Sequence, residues 1–165
     1  MTEADAYALS EGMRASLATL KDVGGITGSF VCTPNGRLAA REIPDLFEDG
    51  VLAEAGSRLV RVREAFAAGG DVLDIGVVRF RDHRIYLKAV GDSLLCILAE
   101  GAVNMPALRM AANLVGRRIA PAVTRLEAEP PPEAPTHTQA EPTQPTRMPG
   151  AAPPGMRRFR GRTID

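Results

Sequence analysis

Apolar residues recur at helical spacing in three segments of the chain. From Ala4 to Asp22 and from Val51 to Ala68 they lie three or four residues apart, as on one face of an α-helix. A third segment begins at Asn104, a residue type that caps helices, with a proline in its first turn. We expect Pro121 to end or kink this helix, because proline has no amide hydrogen. The three faces comprise Leu9, Met13, Leu17 and Leu20; Leu52, Ala55, Leu59, Val62 and Phe66; and Met105, Leu108, Ala112, Val115 and Ile119.

Five shorter runs between these helices predict β-strands. They are Ile26–Thr33, Arg37–Ile43, Val72–Phe80, Arg84–Val90 and Ser93–Ala99. Asn35-Gly36 lies between the first two runs, and Asn-Gly between extended runs is a strong hairpin signal because both residues tolerate positive φ. Arg81-Asp82-His83 is the predicted turn between the third and fourth runs. The last run is apolar at almost every position, as in a central strand covered on both sides. Short turns imply antiparallel pairing, so the fold class is α+β.

The composition changes near Glu127, which predicts two parts with different character. Residues 1–126 have the composition of a folded domain, whereas residues 127–165 hold most of the prolines and almost no branched aliphatic residues. Such a segment buries too little apolar surface to offset the entropy of ordering, so we expect a disordered tail. Its last ten residues, MRRFRGRTID, hold four arginines and one acid, and we interpret residues 156–162 as a basic peptide.

The side-chain inventory offers little for catalysis or for metal binding. Cys32 and Cys96 lie in apolar runs without a CxxC spacing, which predicts buried thiols in a reducing cytoplasm. His83 falls in a predicted turn and His137 in the tail, so neither is held rigidly beside a nucleophile. We therefore expect no catalytic residue, no cofactor and no metal.

Charge and hydropathy argue against nucleic acid and membranes as partners. Twenty basic and twenty acidic residues cancel, so no overall field attracts polyanions. The acidic start of the chain does not resemble a signal peptide, and no run approaches the ~20 apolar residues that cross a bilayer. We expect a cytoplasmic protein.

The order of these elements resembles the Roadblock/dynein light chain family, from residue 4 to residue 122. The resemblance is carried by Asn35-Gly36 in the first hairpin, by the apolar DSLLCIL run at Asp92–Leu98 and by the short step to the helix capped by Asn104. It implies the order α-β-β-α-β-β-β-α, with a five-stranded antiparallel sheet. The first and third helices would cover one face and the second helix the other. Longin and profilin-like folds share parts of this order and are competing interpretations.

The resemblance also implies a function, that of a non-catalytic bacterial platform which regulates or scaffolds a Ras-like small GTPase or another polarity, motility or signalling protein. Family members form homodimers, or heterodimers with a paralogue, in which second helices pack together and third strands pair edge to edge. The free edge of the run Val72–Phe80 and the small residues on the second helix agree with such pairing. The predicted dimer interface is Leu52, Ala55, Gly56, Leu59, Leu73, Ile75 and Val77. Alternatively, the same helical stripe packs on its own sheet.

Two sets of charged residues are candidates for contact with a partner. Arg58, Arg61 and Arg63 lie on the polar side of the second helix, where a solvated charged face is the alternative interpretation. The other set belongs to the tail and comprises Arg157, Arg158, Phe159 and Arg160. It supports a second hypothesis, a structural adaptor whose tail captures a partner through an apolar anchor flanked by arginines.

Overall fold

A computed structural model describes residues 2–128, so the tail beyond Ala128, including the basic peptide, lies outside the described residues. The elements follow the predicted order. They are α1 (Glu3–Ala18), a 3₁₀ turn (Thr19–Asp22), β1 (Ile26–Cys32), β2 (Leu38–Glu42), α2 (Asp49–Ala68), β3 (Ile75–Phe80), β4 (His83–Val90), β5 (Ser93–Glu100) and α3 (Met105–Glu127).

The five strands form one antiparallel sheet in the order β2-β1-β5-β4-β3. β5 is the central strand, and every residue from Ser93 to Ala99 is buried because helices cover both faces there. The prediction of a central strand at this run is confirmed. β2 and β3 are the two edges of the sheet.

The first hairpin forms where Asn35-Gly36 predicts it, but its turn is one residue longer than a two-residue Asn-Gly turn. The amide of Gly36 donates to the carbonyl of Thr33 (2.8 Å), which places Pro34 and Asn35 at the centre of the turn. Of the residues in this turn, only Gly36 has a positive φ, of 77°. The Oδ1 atom of Asn35 accepts a hydrogen bond from the amide of Arg37 (3.3 Å). Proline at the first central position fits this geometry because its φ is already fixed near −65°.

The second hairpin, between β3 and β4, has a shorter turn than expected. Phe80 pairs directly with His83, so only Arg81 and Asp82 lie in the turn, and Arg81 has a φ of 49°. The prediction that His83 lies in the turn is wrong. His83 is the first residue of β4, and its ring stacks on Phe80 with the centroids 5.8 Å apart.

The helices cover the sheet as the family resemblance implies. α1 and α3 pack on one face, in a core that includes Met13, Leu17, Leu95, Ile97, Leu108, Ala112, Val115, Ile119 and Val123. α2 packs on the other face, in a core that includes Phe30, Cys32, Leu52, Val60, Leu87, Cys96 and Leu98. Both cysteines are fully buried and free, as predicted.

α1 is tied to the β2 edge by a shared carboxylate. The Glu42 side chain accepts from the ammonium of Lys21 (2.6 Å) and from Nε of Arg14 (3.1 Å). The hydrogen bond from Lys21 lowers the pKa of Glu42, and the Arg14 guanidinium adds to this effect. The two cations therefore fix the position of α1 along the strand.

α3 begins as predicted but does not end at Pro121. The Asn104 side chain caps it by accepting from the amide of Ala107 (3.1 Å), and the helix continues through Pro121 to Glu127. The prediction that Pro121 ends the helix is wrong. Pro121 is exposed, whereas Val123 beyond it is 1% exposed, so burial of the last turn stabilises the helix against the missing hydrogen bond.

α2 approaches the sheet closely at one glycine. Its buried residues are Leu52, Gly56 and Val60, and a Cβ atom at Gly56 would lie 2.0 Å from the sulfur of Cys32. The predicted stripe is therefore only partly correct. Ala55 and Leu59 are half-buried, and Val62 and Phe66 are 45% and 46% exposed.

Because α2 lies so close to the sheet at Gly56, we expect a glycine-to-alanine substitution there to change stability in the opposite direction from the same substitution at Gly12. Gly56→Ala should lower the free energy of unfolding by about 1–3 kcal/mol, because the new methyl group overlaps the Cys32 sulfur. Gly12→Ala in α1 should raise it by about 1 kcal/mol, since a Cβ there meets no atom within 4 Å. Urea denaturation at one fixed protein concentration measures both changes.

A second variant identifies the cause of the effect at Gly56. Adding Cys32→Ala to Gly56→Ala should recover part of the lost stability, because the overlapping sulfur is gone. Equal stabilities of Gly56→Ala and Gly12→Ala would contradict the close contact.

Candidate interaction surface

α2 covers only part of its face of the sheet. Five strands spaced about 4.8 Å apart span roughly 20 Å between the outer strands, whereas a helix with its side chains is about 10 Å wide. α2 packs mainly on β1, β2 and β5. β3, at the far edge, has no buried residue and has free backbone groups on its outer side. The opposite face carries two helices and is covered as far as β4, although Ile75 and Val77 of β3 remain exposed there.

The uncovered area is apolar. The exposed large hydrophobic residues next to it are Val62 and Phe66 on α2, and Val78 and Phe80 on β3. Val78 is paired with Ile85, which packs in the core beneath α2, so Val78 and Phe80 point to the same side of the sheet as α2. We call this set of four residues the α2–β3 surface.

An apolar groove adjoins the α2–β3 surface. It has a volume of about 360 Å³ and opens between the N-terminal half of α2 and the β3–β4 hairpin. Leu46, Phe47, Val51, Phe80 and Ile85 are among the residues that line it. Leu46 and Val51 are 76% and 57% exposed, so the groove extends the apolar surface along the whole length of α2.

The structure separates the predicted interface residues into different positions. Leu52 is 3% exposed and Gly56 is buried against Cys32, so neither can contact a partner helix and that part of the prediction is wrong. Ala55, Leu59 and Leu73 are half-buried. Ile75 and Val77 lie on the β3 edge, but their side chains point to the α3 side, since Val77 is paired with Tyr86 of that core.

Sequence reasoning missed the outward stripe of α2. Val51, Ala55, Val62 and Phe66 recur at intervals that place them on one side of a helix, turned away from the Leu52–Gly56–Val60 side. The signal is present in the sequence, but it overlaps with the buried stripe because both contain apolar residues three or four apart. Only the position of the sheet shows which stripe is inside.

The arginines predicted to contact a partner also differ in their surroundings. Arg63 is held within the protomer, where its guanidinium donates to the carbonyls of Gly91 (3.0 Å) and Asp92 in the β4–β5 turn. This contact holds Arg63 in the β4–β5 turn, and a further contact of its partly exposed side chain with a partner stays a prediction. Arg58 pairs with Glu54 one helical turn earlier, and both Arg58 and Arg61 are exposed.

The buried thiols lie together beneath α2. The neighbouring sulfur of Cys32 raises the pKa of the Cys96 thiol, and burial raises it further, so Cys96 is protonated at neutral pH. Among residues 2–128, no three side chains of His, Cys, Asp or Glu are grouped as metal ligands would be. No helix in the same part of the chain is long and apolar enough to cross a bilayer.

Solved structures share this fold. Myxococcus xanthus MglB matches with a TM-score of 0.61 and 11% identity over 70% of this chain and 90% of that chain. A Roadblock/LC7 domain from Streptomyces avermitilis matches with a TM-score of 0.58 and 18% identity, over 67% and 97% of the two chains. The gliding protein MglB from Thermus thermophilus matches with a TM-score of 0.61 and 14% identity, over 72% and 93%.

The Roadblock resemblance is thus confirmed at the level of the fold. No family model matches the sequence, and no curated protein matches it. At identities of 11–18% the structural matches show the fold alone.

The role of Arg63 in the β4–β5 turn can be tested by stability. Arg63→Ala should lower the free energy of unfolding by about 1–2 kcal/mol, because two backbone carbonyls lose charge-assisted hydrogen bonds. Arg61→Ala, two residues away and exposed, should change it by less than about 0.5 kcal/mol. Chemical denaturation measures both, and equal effects would show that Arg63 does not hold the turn.

Proposed function

We propose that this chain, with its Roadblock/LC7 fold and one half-covered sheet face, is a homodimeric, non-catalytic binding platform for a Ras-like small GTPase. The single observation that carries the proposal is the α2–β3 surface. It combines an unpaired edge strand with an exposed apolar helix face, and association with a second copy covers both at once.

Symmetry explains why one contact satisfies both requirements. A twofold axis beside β3 places β3 of one protomer against β3 of its partner, so that each strand provides the missing hydrogen-bond partners of the other. The same axis places the second α2 over the α2 side of the joined strands. Val78 and Phe80 of both copies then lie on one face of the joined sheet, between the outward stripes of the two α2 helices, which include Val62 and Phe66.

The edge itself is suited to pairing. β3 has the sequence Ile75-Gly-Val-Val-Arg-Phe80, with no proline and with Arg79 as its single charged residue. Edge strands that remain single usually carry proline or several charged residues, or are covered by a loop. Ile75 and Val77, which were predicted at the interface, belong to this edge and contribute their backbone groups.

Dimerisation through α2 is tested by placing a charge in its outward stripe. Phe66→Glu should weaken self-association by about 2 kcal/mol or more, because a carboxylate replaces a central apolar contact. Leu114→Glu on α3 is the matched control, since Leu114 is 51% exposed and Phe66 is 46% exposed. Sedimentation equilibrium should show a dimer for the original chain and for the control, and monomers for Phe66→Glu at low micromolar concentration.

Either of two results would contradict the dimer. One is a monomeric original chain at every concentration tested, and the other is equal dissociation of the Phe66→Glu and Leu114→Glu variants.

The proposal of a small GTPase as the partner rests on the family resemblance and on the kinds of protein among the similar solved structures. The similar structures include a gliding protein, MglB, and an MglB with a tetrameric arrangement, so related folds occur in proteins of motility and in larger assemblies. Pairing of the α2 helices in this chain would bring two copies of Arg58 and Arg61 to one surface. Two-fold repetition of exposed guanidinium groups suits a GTPase surface rich in carboxylates.

GTPase regulation is tested with Ras-like GTPases encoded in the same genome. Purified protein should bind at least one of them in its GTP-loaded form and change its rate of GTP hydrolysis or nucleotide release. The Phe66→Glu variant should lose this effect and the Leu114→Glu variant should keep it, because the binding surface requires paired helices. No binding and no kinetic change with any of these GTPases would overturn the proposal.

A further inference from the structure

Two arginines lie directly opposite each other on the α3 side of the sheet. Arg79 of β3 is the cross-strand partner of Arg84 of β4. Like charges in this arrangement destabilise a hairpin unless an opposite charge compensates. Within residues 2–128, no carboxylate lies within ion-pair distance of either guanidinium. The fold thus keeps an unfavourable pair that its own described residues do not neutralise.

α3 adds a third guanidinium beside the same strand. Tyr86 is two residues beyond Arg84 on β4 and lies on the same face, beneath α3. α3 packs on β4, and Arg109 is exposed directly after Leu108, which belongs to the same core as Tyr86. Burial raises the pKa of Tyr86; the positive charge of Arg109 opposes that rise, and the carboxylate of Asp74, just before β3, adds to it. The Tyr86 hydroxyl and Nε of Arg84 are both buried without a hydrogen-bond partner in this part of the chain.

The charge of α3 is also one-sided. The helix carries Arg109, Arg117, Arg118 and Arg125, and its single acidic residue is Glu127. Glu127 already accepts a hydrogen bond from the hydroxyl of Ser93 (2.7 Å). α1, on the same face, carries Glu3, Asp5 and Glu11 against Arg14, so the excess of positive charge belongs to α3 and to the Arg79–Arg84 pair and not to the whole face.

Exposed apolar side chains lie next to the arginines. Ile75 and Val77 are on the same face of β3 as Arg79, at every second position, and they are 39% and 43% exposed. A phosphate group or a nucleic-acid backbone would gain no apolar contact from these two side chains. The only aromatic side chain of β3 or β4 on this face is Tyr86, which is buried, so bases have nothing on which to stack.

We propose that this surface, formed by Ile75, Val77, Arg79, Arg84 and Arg109, binds an acidic segment of a partner protein in which carboxylate and apolar side chains alternate. Carboxylates fit the guanidinium groups as bidentate acceptors, and the apolar side chains cover Ile75 and Val77. The surface is formed within one protomer and lies on the side of the sheet opposite α2. In the proposed dimer the two copies of this surface adjoin across the paired β3 strands, on the side opposite the α2 helices, so its partner and a GTPase on the α2 side would occupy different faces.

The test uses the full chain and a fluorescein-labelled peptide of twelve residues with alternating glutamate and leucine. Fluorescence anisotropy should show saturable binding that weakens when salt is raised, because part of the attraction is electrostatic. Each of two variants, Arg79→Gln with Arg84→Gln and Arg109→Gln alone, should bind at least about tenfold more weakly. Arg37→Gln is the matched control, as Arg37 is exposed and lies in the turn that leads into β2, the opposite edge strand, and the affinity of this variant should stay within about twofold.

Further measurements test whether the variants still fold and whether other anions bind in place of the peptide. The variant with Arg79→Gln and Arg84→Gln should unfold at the same temperature as the original chain or higher, since a like-charge pair is removed. Arg109→Gln should unfold at the same temperature, since Arg109 is exposed. A peptide that alternates glutamate and serine should bind several times more weakly, because it lacks apolar side chains. The proposal is overturned by absent binding of the leucine peptide, by equal binding of the arginine variants, or by tighter binding of single-stranded DNA, inorganic phosphate or phosphatidylserine vesicles.

Discussion

One helix cannot cover the face of a five-stranded sheet, and this mismatch in width governs the rest of the structure. β5 is buried on both sides and forms the centre, so each face needs its own apolar cover. On one face α1 and α3 lie side by side and cover the sheet as far as β4. On the other, α2 stands over β1, β2 and β5 and leaves the β3 edge exposed. The asymmetry follows from the order of elements along the chain, which provides three helices for two faces.

Much of this architecture follows from local sequence features. The apolar run SLLCILA predicts a central strand, Asn35-Gly36 predicts the first hairpin, and Asn104 predicts the start of α3. These signals act over a few residues, so they are independent of tertiary contacts. Helix ends and the depth of packing are not local. α3 passes through Pro121 because side chains beyond it reach the core, which no rule for proline alone can anticipate.

Which side chains lie on the surface, and what they face, depends on the register of the strands, so these residues were harder to predict. With a three-residue turn at 81–83, Arg84 would face Phe80; the observed two-residue turn places it opposite Arg79 instead. A shift of one residue changes every cross-strand neighbour and the face of each side chain. Likewise, α2 has two overlapping apolar stripes, and rotation of the helix by about one residue exchanges its inner and outer sides. Arg63 binds carbonyls 28 and 29 residues away, so its role exists only in the folded chain.

The contact between Gly56 and Cys32 has a consequence for which chains can pair with each other. It sets how far α2 stands above the sheet, and α2 also carries the outward residues. In the dimer proposed above, the height at which each α2 meets its partner's α2 would depend on an interior contact that the partner never touches. Two paralogues with different residues at this position would hold their helices at different heights and meet with a step between them. Selectivity between paralogues would then be decided partly in the core, where comparison of surface residues would not reveal it.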